Sequence, residues 1–222
     1  MPVNVLHMFS DDGRPSVPDF AALAGAGIFG VIQRASQGIA YIDPTYHQRR
    51  VAAQNAGLLW GAMHTIDAGD ATIQASFFLA AAGYYDADVD ITNTLLAVEW
   101  VDLTDTAALH QLYQFCAVVN RLSFAGVEIV VRGGDLLRRN LTAPNGGFRS
   151  PAMIGASDFF ALLRLWTNET VYETVPPPKP MYPWDNYWLR EVKPMVVKHP
   201  IGNSGTNIFA GDKAALSAAW LA

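Results

Sequence analysis

Three features of the sequence predict an α/β fold closed into a barrel. Strand-like and helix-like segments alternate at least five times, each strand segment is apolar throughout, and eight strand segments fit within 222 residues. A strand that is apolar on both faces needs cover on both, which a parallel sheet lined by helices supplies. An open doubly wound sheet is the alternative that the same alternation allows.

Val3-Asn4-Val5-Leu6-His7 reads as the first strand, with Ser10-Asp11-Asp12-Gly13 as the turn after it. Helices are expected over residues 18–26, 46–56 and 70–82, closed by Gly27, Gly57 and Gly83. Strands at 28–34 and 58–64 lie between them, with a loop at 38–44. Residues 95–102, Leu-Leu-Ala-Val-Glu-Trp-Val-Asp, form the central strand after the turn signal Asn93-Thr94. A long helix over 104–124 follows, capped by Thr104 or Asp105 and ended by Gly126. A β-branched strand covers 127–132, a short helix 135–140, and Asn145-Gly146-Gly147 is a tight turn. Weaker strand signals occupy 162–166 and 187–197. A short strand at 207–209 precedes a closing helix at 213–221. The chain, residues 1–222, reads as one domain.

With 51% apolar and 16% charged residues the chain is globular. A net charge of −5 without a basic run argues against nucleic-acid binding but leaves uncharged carbohydrate open. No apolar run is long enough to span a bilayer and no signal segment opens the sequence, so work at a cell wall would need another export route. Neither a G-x-G-x-x-G after the first strand nor a phosphate-binding G-x-x-x-x-G-K-[ST] occurs. The single cysteine, Cys116, sits in a helical run and reads as a buried thiol. Asp86-Ala87-Asp88-Val89-Asp90 imitates a calcium loop, but Ile91 and Ala97 stand where Gly and Glu are needed. His7 and His64 lack the converging third ligand that a metal needs, so neither metal nor cofactor is expected.

Glu99 is the residue that demands explanation. Alternation puts it with Ala97 and Val101 on one strand face, and a carboxylate in a buried strand must be paired or open to a cleft. Its structural reading is an ion pair with Arg34 or Arg132 inside the barrel. Its functional reading is an acid at the carboxyl end of a barrel strand, where barrels carry their chemistry. Asn4, Gln33, His64 and Arg132 also fall near strand ends.

The order of motifs resembles the family 25 glycoside hydrolases, lysozymes that cleave peptidoglycan between N-acetylmuramic acid and N-acetylglucosamine. The family's I-D-V-S-H is matched by Val3-Asn4-Val5-Leu6-His7, and its K-A-T-E-G with a Y-x-D stretch by Arg34-Ala35-Ser36-Gln37-Gly38 and Tyr41-Ile42-Asp43. Its A-G-L-x-x-G-A-Y-H-F is matched by residues 56–65, its D-x-E by Ala97-Val98-Glu99, and its D-x-N-x-F by Gly205-Thr206-Asn207-Ile208-Phe209. The resemblance implies an irregular (β/α) barrel, TIM-barrel-like, and a peptidoglycan or related N-acetylated glycan as partner. A protein partner in a phage or secretion assembly stays open.

Where the family carries acidic groups, this chain has Asn4, Ala97 and Gly205; Glu99 alone survives. Glycoside hydrolysis ordinarily needs two carboxyl groups. The expectation is weak or absent turnover with Glu99 as remnant acid, unless another carboxylate such as Asp67 or Asp102 substitutes. The other reading is a non-catalytic module that binds glycan or protein, and a third is a barrel hydrolase with carboxylates from other strands. Substrate contacts are expected from Asn4, His7, His64, Trp100, Asp102, Trp188 and Asn207. Trp166, Tyr172, Tyr182, Trp184, Tyr187 and Trp188 form an aromatic cluster suited to stacking on sugars or to core packing.

Overall fold

The computed structural model describes residues 3–9, 17–88, 91, 93–100, 106–123, 129–133, 156–172, 184, 187–193, 205–209 and 211–220. Among the described residues nine strands run β1 (Val3–Met8), β2 (Ile28–Gln37), β3 (Tyr41–Ile42), β4 (Leu59–Ile66), β5 (Thr94–Trp100), β6 (Val130–Gly133), β7 (Arg164–Tyr172), β8 (Leu189–Lys193) and β9 (Gly205–Phe209). The described helices are α1 (Phe20–Gly25), α2 (Tyr46–Asn55), α3 (Ala71–Ala81), α4 (Thr106–Leu122), α5 (Ala156–Ala161) and α6 (Lys213–Trp220).

The sheet order β1-β9-β8-β7-β6-β5-β4-β2, completed by pairing of β1 with β2, closes eight strands into a barrel; β3 hangs on β2. This is the α/β barrel expected from the alternation of segments. It is irregular because β9 runs antiparallel to both β1 and β8, whereas the other barrel pairs are parallel.

Two cores follow from two-residue alternation in strands that are covered on both sides. Val3, Val5, Ile32, Met63, Leu95, Ala97, Val130, Trp166 and Leu189 fill the barrel. Leu216 and Trp220 of α6 join this inner core from its amino-terminal end. The Trp220 indole donates to the Trp60 carbonyl at 2.8 Å, and a β-carbon on Gly30 would lie 2.9 Å from its ring. That glycine makes room for the plug. The outer core sets Leu6, Val31, Ala62, Leu96 and Val98 against Phe78, Leu79, Leu112 and Phe115 of α3 and α4.

Gly27, Gly57 and Gly83 close α1, α2 and α3 with positive φ, as their positions predicted. The cap of α1 is Asp19, whose carboxylate accepts from the Ala22 amide at 2.9 Å; Pro18 precedes it. Two elements were not foreseen: β3 within the expected loop, and the short helix α5. The expected helix at 135–140 and the turn at 145–147 lie outside the described residues.

Candidate active site

Glu99 is the next-to-last residue of β5, on the inward face above Leu95 and Ala97. Parallel pairing sets Thr65 of β4 and Arg132 of β6 directly opposite it. The Thr65 hydroxyl donates to Glu99 Oε1 at 2.8 Å, and Arg132 Nη1 donates to Oε2 at 2.5 Å. Arg132 Nη2 in turn donates to Glu191 Oε2 of β8 at 2.7 Å. One guanidinium therefore bridges two carboxylates, and the formal charges of the trio sum to −1. The three side chains keep 8% (Glu99), 11% (Arg132) and 17% (Glu191) of their surface exposed.

Around this trio the inner face is aromatic. The guanidinium carbon of Arg132 lies 5.0 Å from the Trp166 ring centre, and Trp166 Nε1 donates to Asn207 Oδ1 at 2.7 Å. Asn207 Nδ2 donates to the Val5 carbonyl at 3.2 Å, so a buried amide fixes the indole to β1. Register explains the grouping: Val5, Asn207 and Glu191 are neighbours across β1, β9 and β8. His7 meets Trp166 and Phe9 edge-on at 5.3 and 4.7 Å. Neither ring nitrogen of His7 has a hydrogen-bond partner among the described residues. Burial, and then the neighbouring Arg132 charge, hold His7 well below the ordinary histidine range, so the ring is neutral at pH 7.

Of the residues expected to contact substrate, His7 and Asn207 join Glu99 at this level of the barrel interior. His64 does not. It points outward from β4, fully buried, with Nδ1 2.9 Å from Ser36 Oγ, Nε2 3.3 Å from Gln74 Oε1 and the ring stacked on Phe115 at 4.9 Å. A nearby strand end was a correct signal, but the parity of β4 sends this side chain into the helix layer. Trp100 is likewise outward, packed on the outer core that holds Leu96 and Val98. Asn4 alternates with inward Val3 and Val5, so it shares the face of Leu6 and Met8. Gln33 also faces out, donating to Asp43 at 2.6 Å.

Trp188 sits at the opposite end of the barrel, against Trp220 and Phe209, with the Arg164 guanidinium over its ring. Strand direction decides this, because Trp188 precedes β8 whereas Glu191 lies further along it. Trp166 and Trp184 of the aromatic cluster are core side chains. Asp102 and Tyr182 lie outside the described residues. Asp67 is exposed and shapes the loop after β4, its Oδ1 accepting from the Gly69 amide at 2.8 Å.

The ion pair with Arg132, weighed as the structural alternative for Glu99, is present. Arg34 instead lies 5.3 Å from the ring centres of both Phe9 and Tyr41. Glu191 was not singled out from sequence. It lies in a weak strand signal, and only its alternation with buried Leu189 marks it as inward-facing. Its carboxyl is one guanidinium away from that of Glu99. Glycosidases that use two carboxyl groups set them on either side of one glycosidic bond. As arranged, however, both Glu99 oxygens act as acceptors. Among the described residues no group of three His, Cys, Asp or Glu side chains could hold a metal ion.

The profile described as glycosyl hydrolases family 25 matches residues 13–127. That segment includes Thr65 and Glu99 but neither Arg132 nor Glu191. No curated protein matches the chain. Among solved structures, the chain is similar to a muramidase from Acremonium alcalophilum, at 18% identity over 99% of each chain with a TM-score of 0.73. A family GH25 lysozyme from Aspergillus fumigatus aligns at 19% identity over 99% of each chain, TM-score 0.72. A bacterial lysozyme from Streptomyces coelicolor aligns at 18% identity over 100% of this chain and 98% of its own, TM-score 0.73. At such identities these likenesses establish the fold.

Proposed function

The chain belongs to family 25 of the glycosyl hydrolases, and from that premise we propose that it engages peptidoglycan or a related N-acetylated glycan at the carboxyl end of its barrel, with hydrolysis weak or lost. The carrying observation is the state of Glu99: the acid is retained at the end of β5, yet Thr65 and Arg132 occupy both its oxygens. Ala97, the next inward residue below it, offers no second carboxylate. The likeness in fold to the muramidases and lysozymes supports the glycan as partner. His7, Trp166 and Asn207 are buried beside the charged trio and surround it with neutral side chains.

The test pairs retention on insoluble peptidoglycan sacculi with release of soluble muropeptides, for the wild type and Glu99→Gln. The expected result is retention of both proteins, with release close to background. Rapid release that disappears in Glu99→Gln would replace weak turnover with an active hydrolase. Failure of both proteins to be retained would remove the glycan and leave a scaffold that serves a protein partner.

A further inference from the structure

We propose that Arg132 is an internal lock on a latent pair of carboxyl groups, Glu99 and Glu191, and is the reason that this barrel binds glycan better than it cleaves it. The inference rests on the glycan-directed reading above and adds to it a cause and a second carboxylate. Glycoside cleavage develops positive charge at the anomeric carbon and ring oxygen, and hydrolases meet that charge with carboxylates. Here that negative charge is partly cancelled. The space between the two carboxylates already holds a cation, bonded to Glu99 at 2.5 Å and to Glu191 at 2.7 Å.

The lock is built into the fold. Strand register sets Arg132 opposite Glu99, and Trp166 lies under the guanidinium at 5.0 Å. Trp166 is itself tied by Asn207. Each support comes from a different strand, so the guanidinium cannot swing aside without losing an ion pair or its aromatic platform. The two carboxyl groups flank the same guanidinium from β5 and β8. With the cation gone, Glu99 in its protonated form would give its proton to the glycosidic oxygen as the bond from C1 to that oxygen breaks. A water would add its oxygen to C1 and pass a proton to Glu191, so one proton leaves the pair and one returns.

The experiment replaces Arg132 by Gln, and separately by Met, whose apolar stem keeps the packing on Trp166. Each is checked for folding by circular dichroism, then assayed for sacculus retention and muropeptide release. The lock predicts that a folded variant is retained like the wild type and releases muropeptides about 10- to 100-fold faster. That gain should vanish when Glu99→Gln or Glu191→Gln is added. Folded variants that are retained but release no faster overturn the lock and leave the glycan reading standing. Loss of retention by the wild type itself removes both. If neither variant folds, Arg132 is a structural tie between β5, β6 and β8, and the lock is likewise overturned.

Discussion

His64 gives a sharp test of the outer core, because its burial has a consequence for stability at acid pH. The ring is fully buried between β4 and helices α3 and α4. Burial lowers its pKa from 6.5 to about 4, against the smaller upward pulls of the Gln74 hydrogen bond and the Asp67 charge. Between those two values the unfolded chain binds a proton that the folded chain refuses. Stability is therefore intact above pH 6.5 and falls as pH drops toward 4. Each unit of difference corresponds to about 1.4 kcal/mol, so acidification from about pH 7.5 to about pH 4.5 costs about 2.5 kcal/mol at this one residue. His7, also buried and shifted in the same direction, adds to the loss.

The contribution of His64 is isolated with His64→Gln, which stays neutral and can still bond Ser36 and Gln74. Losing the stack on Phe115 should cost about 1 kcal/mol at every pH. Urea unfolding followed by tryptophan fluorescence at both pH values supplies the comparison. Wild type should lose about 2.5 kcal/mol more than the variant on acidification. Equal losses in the two proteins would mean that the imidazole takes up its proton in the folded state, and the reasoning from burial would fail.

Three further outcomes follow from the packing. Cys116 is fully buried and its thiol is pushed far up by desolvation, so a thiol reagent should leave the native protein unlabelled and label it completely in denaturant. Trp220→Ala removes the indole that plugs the amino-terminal end of the barrel and its bond to the Trp60 carbonyl. It should cost about 3–5 kcal/mol in urea unfolding, and a loss below about 1 kcal/mol would show that the barrel end collapses to fill the space. Gly205→Ala would place a β-carbon 2.5 Å from His7 Nδ1. It should lower stability by about 1–3 kcal/mol in thermal melts, and an unchanged melting temperature would show that His7 moves aside freely.

The strands were legible in order because each is a short apolar run bounded by turn residues, and the helices because glycines such as Gly27, Gly57 and Gly83 close them. The irregular elements were harder. The two residues of β3 are held by pairing with Ser36 and Gln37, a partner that local sequence does not announce. The orientation of β9 was equally hidden, since nothing within Gly205–Phe209 marks the direction in which the strand pairs.

The site was legible where alternation could be counted from a certain centre, and misread where only closeness to a strand end was used. Glu99 counted correctly from Ala97. His64, Trp100, Asn4 and Trp188 did not, because a strand end has two faces and a barrel has two ends. Glu191 went unnoticed for the opposite reason: its strand signal was weak, so its parity had no anchor.

By itself the sequence determined the family, most strands and helices in their order and the inward face on which Glu99 lies, all carried by local patterns of residue type and spacing. Only the tertiary structure decided what surrounds that acid. Thr65, Arg132 and Glu191 are 34, 33 and 92 positions from Glu99 or joined to it through one another, and closure of the barrel brings them together. A carboxylate's chemistry depends on the charges and donors within a few ångströms of it, and those neighbours are a property of strand register, not of distance along the chain.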